Sequence, residues 1–253
     1  MLKLSTRTFL LTTLLAGAAG LSGLSHQAQA ADAFSSAQKD ELGTIIKEYL
    51  MDNPEVIFES IDAYRQKEKE MQQAKAKNAI KDNIKKLTES DAPSIGAEDA
   101  DVVIVEFFDY NCGYCKRAVP DIQAVLKKDK KVRFVFQEMP ILGPSSVTAA
   151  QWAKAAHNQG KYFDFHVALM EHRGPKDEAQ LTKLAEKLGL DVDQMKKDAK
   201  SDAVKDAIDA EVALARQIGI NGTPAFIVGE DLYPGYIGKD GMFGAIEDAR
   251  KGE

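Results

Sequence analysis

The sequence predicts an α/β domain with a large helical insertion, preceded by an α-helical N-terminal oligomerisation arm. Three observations carry that reading. The runs "DVVIVEFFDY" (101–110) and "KVRFVFQEM" (131–139) are apolar and rich in β-branched and aromatic residues, and between them the apolar positions recur at helical spacing. From about 145 to 218 every pattern is helical, and "TPAFIVGEDLYPGYI" (223–237) then reads as a hairpin-like strand pair before a closing helix. Residues 31–90, by contrast, are rich in helix formers and hold no strand-like run.

Taken in order, the first segment is an export signal. Lys3 and Arg7 precede an apolar run from Phe9 to about Ala19, and "AQA" at 28–30 has the small-x-small pattern of a cleavage site, so cleavage after Ala30 is expected. The run is too short for a spanning helix. No cysteine for lipid attachment and no paired arginines lie there. The mature chain then carries 31 basic against 39 acidic side chains, a net of −8, which argues against nucleic acid or an anionic membrane as a partner. A soluble periplasmic protein is expected.

In the arm, Leu42, Ile45, Ile46, Tyr49 and Leu50 form one apolar stripe. "DNP" (52–54) restarts a helix, with Asn53 as its cap and Pro54 at the first position, and Ile57, Ile61 and Tyr64 continue an apolar face. Residues 65–87 are helix-prone but polar, with Met71, Ile80, Ile84 and Leu87 as scattered apolar points. The stripe has two outlets: packing on the chain's own α/β domain, or self-association of residues 35–64 into a dimer or trimer with 65–88 as a semi-rigid arm. "ESDAPSIGAED" (89–99) is turn-rich and marks the boundary to the domain at 91–253.

The chemistry is concentrated in "DYNCGYCKRA" (109–118), which holds both cysteines of the chain, Cys112 and Cys115. A bridge closing so short a loop removes little unfolded-state entropy, so it is a poor staple. Cys112 stands where a buried strand gives way to a helix, and the free amides and dipole there favour thiolate. Cys115, one turn on, lies with Val119, Ile122 and Leu126 on the stripe that faces the core. One sulfur is thus set to attack and the other to resolve. On a regular helix residues three apart hold Cβ atoms about 5–6 Å apart, whereas a disulfide needs about 3.5–4.5 Å, so the bridge should be reducible. Pro120 removes one backbone bond from this helix.

Metal binding is the rival use. A closed zinc site would need a second ligand pair, and His157, His166 and His172 do not supply one at the usual spacing, the latter two falling on opposed faces of one helix. Cuprous ion is better matched, because soft thiolates select it and the Cys112 and Cys115 pair suffices for low coordination. No other metal or cofactor beyond the redox-active Cys112–Cys115 disulfide is expected.

"VVIVEFFDYNCGYC" followed more than a hundred residues later by "NGTPAFIVG", with "KYFDFHVALM" in the helical insert, resembles the thioredoxin-fold thiol-disulfide oxidoreductases of the DsbA superfamily. The helical arm resembles the ScsC-type branch of oligomeric periplasmic disulfide isomerases linked to copper tolerance. The resemblance covers about Ser94 to the C-terminus and implies a thioredoxin fold. It also implies a cis peptide at Thr223–Pro224 beside the cysteines, where a substrate strand adds, although the same proline can be read as an ordinary turn. It implies an internal carboxylate at Glu106 that relays the proton of Cys115. The other reading of Glu106 is a carboxylate satisfied by a neighbouring lysine. Gly113 and Tyr114 would join Thr223 and Pro224 in binding substrate.

Direction turns on the middle pair. Strong oxidants of the superfamily carry a histidine before the second cysteine, whereas Tyr114 brings no cation, so "CGYC" resembles the isomerases more. The implied clients are unfolded or misfolded exported proteins, and the implied electron donor is a membrane thiol reductase of the DsbD/ScsB type. Net oxidation, and copper(I) binding as the main role, are the alternatives.

Overall fold

A computed structural model describes residues 34–88 and 92–252. The expected signal segment and its cleavage point after Ala30 lie outside the described residues. The chain divides into two compact units after Ile61.

In the first unit, helix α1 (Ser36–Asp52) opens with a reciprocal cap: Ser35 Oγ accepts from the Gln38 amide at 3.3 Å, and Gln38 Oε1 accepts from the Ser35 amide at 2.9 Å. None of its residues is buried. Leu42, Ile45, Ile46 and Tyr49 are exposed along one stripe, as are Ile57, Phe58 and Ile61 at the start of α2 (Glu55–Thr88). Asn53 ends α1 instead of starting α2, because its side-chain amide donates back to the Tyr49 carbonyl at 2.9 Å.

The second unit is built on a five-stranded sheet in the order β1-β3-β2-β4-β5. Its strands are β1 (Ser94–Gly96), β2 (Val102–Phe108), β3 (Val132–Glu138), β4 (Ala225–Val228) and β5 (Asp231–Pro234). β2 and β3 run parallel, joined by α3 (Gly113–Lys128), and the remaining pairs are antiparallel. The helical insert comprises α4 (Pro144–Asn158), α5 (Tyr162–Glu171), α6 (Glu178–Lys187), α7 (Val192–Ala199) and α8 (Asp202–Ile218), and α9 (Gly238–Lys251) closes the chain.

Alternation along the strands makes two cores. Ile104, Phe108, Phe134 and Phe136 pack with Cys115 and Ile122 of α3, Met242 and Ile246 of α9, and Trp152 and Phe165 of the insert. Val105, Phe107, Val135 and Ile227 on the opposite face pack with Leu214 and Ile218 of α8 and with Ile80 and Leu87 of α2. The last turns of α2 are therefore sheet core and not a free arm. Met71 and Ile84 stay exposed.

β1 lies inside the stretch expected to be only a turn-rich boundary. Three residues carry too little pattern to read as a strand, yet Ile95 pairs with Phe134. Gly96, at φ +121°, permits that pairing, since a Cβ there would stand 2.3 Å from the Val132 carbonyl oxygen.

Candidate functional site

At the end of β2 the backbone turns through Asp109–Asn111 into α3. The Cys112 amide donates to the Asp109 carbonyl at 3.0 Å, and the Asn111 amide donates to Asp109 Oδ1 at 2.7 Å. Cys112 is the N-cap of α3, its Sγ accepting from the Cys115 amide at 3.4 Å. A sulfur in the cap position thus takes the place of the usual hydroxyl or carboxylate. α3 continues through Pro120.

The two sulfurs differ sharply. The Cys115 thiol beside it, then the amides of Cys115 and Tyr114, bring Cys112 down to about 5 against some opposition from burial. Burial pushes Cys115 far above an ordinary thiol, and the neighbouring Cys112 and the charge of Glu106 add to this. Cys112 is 6% exposed and Cys115 not at all.

Thr223–Pro224 is a cis peptide. As a thiol, Cys112 donates to the Thr223 carbonyl at 3.2 Å, joining segments 111 residues apart. The Pro224 carbonyl accepts from the Gly235 amide at 2.9 Å. Gly113 has open space around its Cα, and the Tyr114 ring is 57% exposed beside the sulfur-bearing turn. Glu106 is buried on the α3 side of the sheet, and neither carboxylate oxygen has a hydrogen-bond partner among the described residues. No lysine satisfies it. Burial, then the charge of Cys112, raises it to about 8.

The DSBA-like thioredoxin domain model matches residues 103–247, the stretch that contains all of these groups. The chain belongs to that family. The model of the copper resistance protein ScsC N-terminal domain matches residues 38–70. A thioredoxin-like oxidoreductase from Silicibacter pomeroyi DSS-3 is 42% identical and superposes with a TM-score of 0.64, over 66% of this chain and 97% of that one. ScsC of Proteus mirabilis in a transitional conformation is 26% identical with a TM-score of 0.63, over 87% of this chain and all of that one. The first curated sequence relatives are much longer: 62% of this chain matches 24% of the Na(+)/H(+) antiporter NhaA 1 of Salinispora arenicola, at 30% identity over 159 residues. Among the described residues no helix is long and apolar enough to cross a membrane.

Around the cysteines, this DSBA-like domain holds polar residues that sequence reasoning missed. Asp109 is buried, and besides the Asn111 amide it accepts from Ser146 Oγ at 2.7 Å and from the Leu142 amide at 2.9 Å. Lys176 Nζ donates to Asn111 Oδ1 at 3.2 Å, and Lys116 Nζ to the His172 carbonyl at 3.1 Å. The histidines weighed as zinc ligands are dispersed. His166 is buried in α5 beside the Tyr110 hydroxyl at 3.2 Å, and His172 ends that helix, so the two do not share it as expected. No cluster of three or more metal-ligating side chains occurs among the described residues. The Tyr110 and Tyr162 hydroxyls both donate to Glu138 Oε1, a buried carboxyl raised well above its usual range by desolvation.

Proposed function

We propose that the protein catalyses thiol-disulfide exchange in the periplasm, chiefly as an isomerase or reductase of wrong disulfides in misfolded exported proteins. The observation that carries this reading is the asymmetry of the pair: a Cys112 sulfur that is thiolate at neutral pH beside a Cys115 thiol that burial keeps protonated. In the first step the Cys112 thiolate attacks one sulfur of a client disulfide. A Cys112–client bond forms, the client bond breaks, and the other client sulfur leaves as thiolate. A client thiolate then attacks the client sulfur of the mixed disulfide and frees Cys112, so bonds are reshuffled with no net electron transfer.

If no client thiol arrives, Cys115 releases the client. Its proton passes to the Glu106 carboxylate, its sulfur bonds to Cys112, and the client leaves as thiolate carrying two electrons. Formation of the mixed disulfide removes the Cys112 charge, which is the second cause of the raised Glu106 pKa. Glu106 therefore ionises more readily at the step that needs a base. Gly113, Tyr114, Thr223 and Pro224 line the approach for the client chain. A membrane thiol reductase of the DsbD/ScsB type would restore the dithiol.

The exposed apolar residues of α1 and early α2 support self-association of residues 35–64 as a dimer or trimer. Several active sites held together would raise the effective concentration of thiolate around one client. Copper(I) binding by reduced Cys112 and Cys115 is a second reading, favoured by the match of residues 38–70 to a copper resistance protein's domain. One set of measurements tests these readings: the redox equilibrium of the pair with glutathione, the reactivation of scrambled ribonuclease, and the solution mass. Efficient net oxidation with a high potential would favour a DsbA-like oxidase instead. Cuprous binding that survives glutathione, with poor exchange, would favour the copper role.

A further inference from the structure

One exposed face of α3 carries Tyr114, Arg117 and Asp121, at spacing i, i+3, i+7. The Arg117 guanidinium lies over the Tyr114 ring, 5.3 Å from its centre. Tyr236 stacks on Tyr114 at 6.2 Å with 29° between the ring planes, and its hydroxyl donates to Asp121 Oδ2 at 2.5 Å. Because the Gly235 amide is bonded to the Pro224 carbonyl, the loop bearing Tyr236 ties the cis-proline segment to this face.

Arg117 is thereby oriented but not neutralised. Among the described residues it forms no ion pair, in contrast to Arg250, which holds Asp101 and Asp129. Lys116 and Lys176 stand on the Cys112 side, where their amines are bonded to the His172 carbonyl and to Asn111, and the Asp121 carboxylate, one turn from Arg117, is held by the Tyr236 hydroxyl.

Helical rise puts Arg117 about 7.5 Å along the axis from Cys112, and two residues of an extended client chain span about 7 Å. We propose that Arg117 is a specificity-determining residue that selects client cysteines with an acidic residue two positions away. The inference rests on the thiol-exchange reading above. It concerns a local preference, set against a mature chain that carries 39 acidic and 31 basic side chains.

The test uses the reduced mature protein and short peptides, each with one cysteine held as a mixed disulfide with 2-nitro-5-thiobenzoate. Glutamate stands two positions to either side of that cysteine in one peptide and glutamine in the other. Attack of Cys112 on the peptide sulfur releases the coloured thiobenzoate. The glutamate peptide should react about two- to five-fold faster at low salt, the size expected of one exposed ion pair. The ratio should fall to near one in Arg117→Gln, and to near one for the unaltered protein at about 0.5 M NaCl. A ratio near one at low salt, or a preference that survives in Arg117→Gln, overturns the assignment. Release of thiobenzoate from neither peptide would sink the exchange reading itself.

Discussion

The N-terminal helices and the redox centre break the usual rule of burial in opposite directions. Residues 36–61 turn Leu42, Ile45, Ile46, Phe58 and Ile61 outward, whereas the sheet domain takes Glu106, Glu138 and His166 inward. Exposed apolar side chains on a helix with no core cost little in isolation but gain about 1.5–3 kcal/mol each on burial, so they call for a partner surface. Of the inward groups, Glu106 has neither carboxylate oxygen partnered among the described residues, a direct cost in free energy that persists where an altered pKa is useful. The first region leaves an apolar stripe exposed. The second keeps its polar groups shielded from water within the chain.

The largest expected effect separates the two regions at once. Cys112→Ser should remove thiol exchange to below detection, since the remaining Cys115 thiol is protonated and buried. Cys115→Ser should instead accumulate mixed disulfides with client proteins, seen as adducts on non-reducing gels. Neither change touches the apolar stripe, so the solution mass of either variant should match that of the unaltered protein. A mass change would show that the redox centre and the helices are not independent.

The reciprocal experiment alters the stripe alone. Ile45→Glu together with Phe58→Glu should reduce the assembly proposed for residues 35–64 to a single chain by light scattering, because a charge then stands at each of two apolar positions exposed along that stripe. Glutathione equilibrium of the Cys112–Cys115 pair should be unchanged, while reactivation of scrambled ribonuclease falls. If the double variant reshuffles ribonuclease as well as the unaltered protein, the hub adds nothing to function.

A smaller effect tests the inward polar group. Glu106→Gln should slow release of the client by Cys115 by about 10²-fold, at the low end of what positioned proton transfer contributes. The first attack by Cys112 should keep its rate, because its thiolate is stabilised chiefly by the Cys115 thiol and by amides. Stopped-flow fluorescence on a preformed mixed disulfide separates the two steps.

The readable parts of this molecule are those fixed by neighbours in sequence. Cys112 and Cys115 sit at a strand-to-helix junction that local pattern reveals, and Glu106 stands in a run that reads as a buried strand, whereas its role came from the family resemblance. The stripe on α2 was legible too, but its fate was not. Ile61 and Ile80 lie on one helix, yet Ile61 is exposed and Ile80 packs against the sheet, because only the later turns meet a complementary face. Contacts such as Lys176 with Asn111, or Tyr236 with Asp121, join residues 65 and 115 positions apart and leave no local trace. β1 exists only through its partner β3.

The smallest expected effect is a slope of stability with pH. Glu106 is raised in the folded state from 4.5 to about 8, so its contribution is full below pH 4.5 and is lost as pH rises through about 8. Cys112 is lowered from 9.0 to about 5, so its contribution is present above pH 9 and is lost as pH falls through about 5. In the reduced protein the two oppose each other between about pH 5 and 8. Relative to that protein, Glu106→Gln should gain stability with rising pH across this window, and Cys112→Ser should lose it. Each difference is bounded by about 1.4 kcal/mol per pH unit, the value for one proton. Urea unfolding of the three reduced proteins across the window measures it. Parallel curves would mean that the buried acid and the cap thiolate bind protons alike in the folded and unfolded states, and that the inward polar groups of this domain carry no shift of use to it.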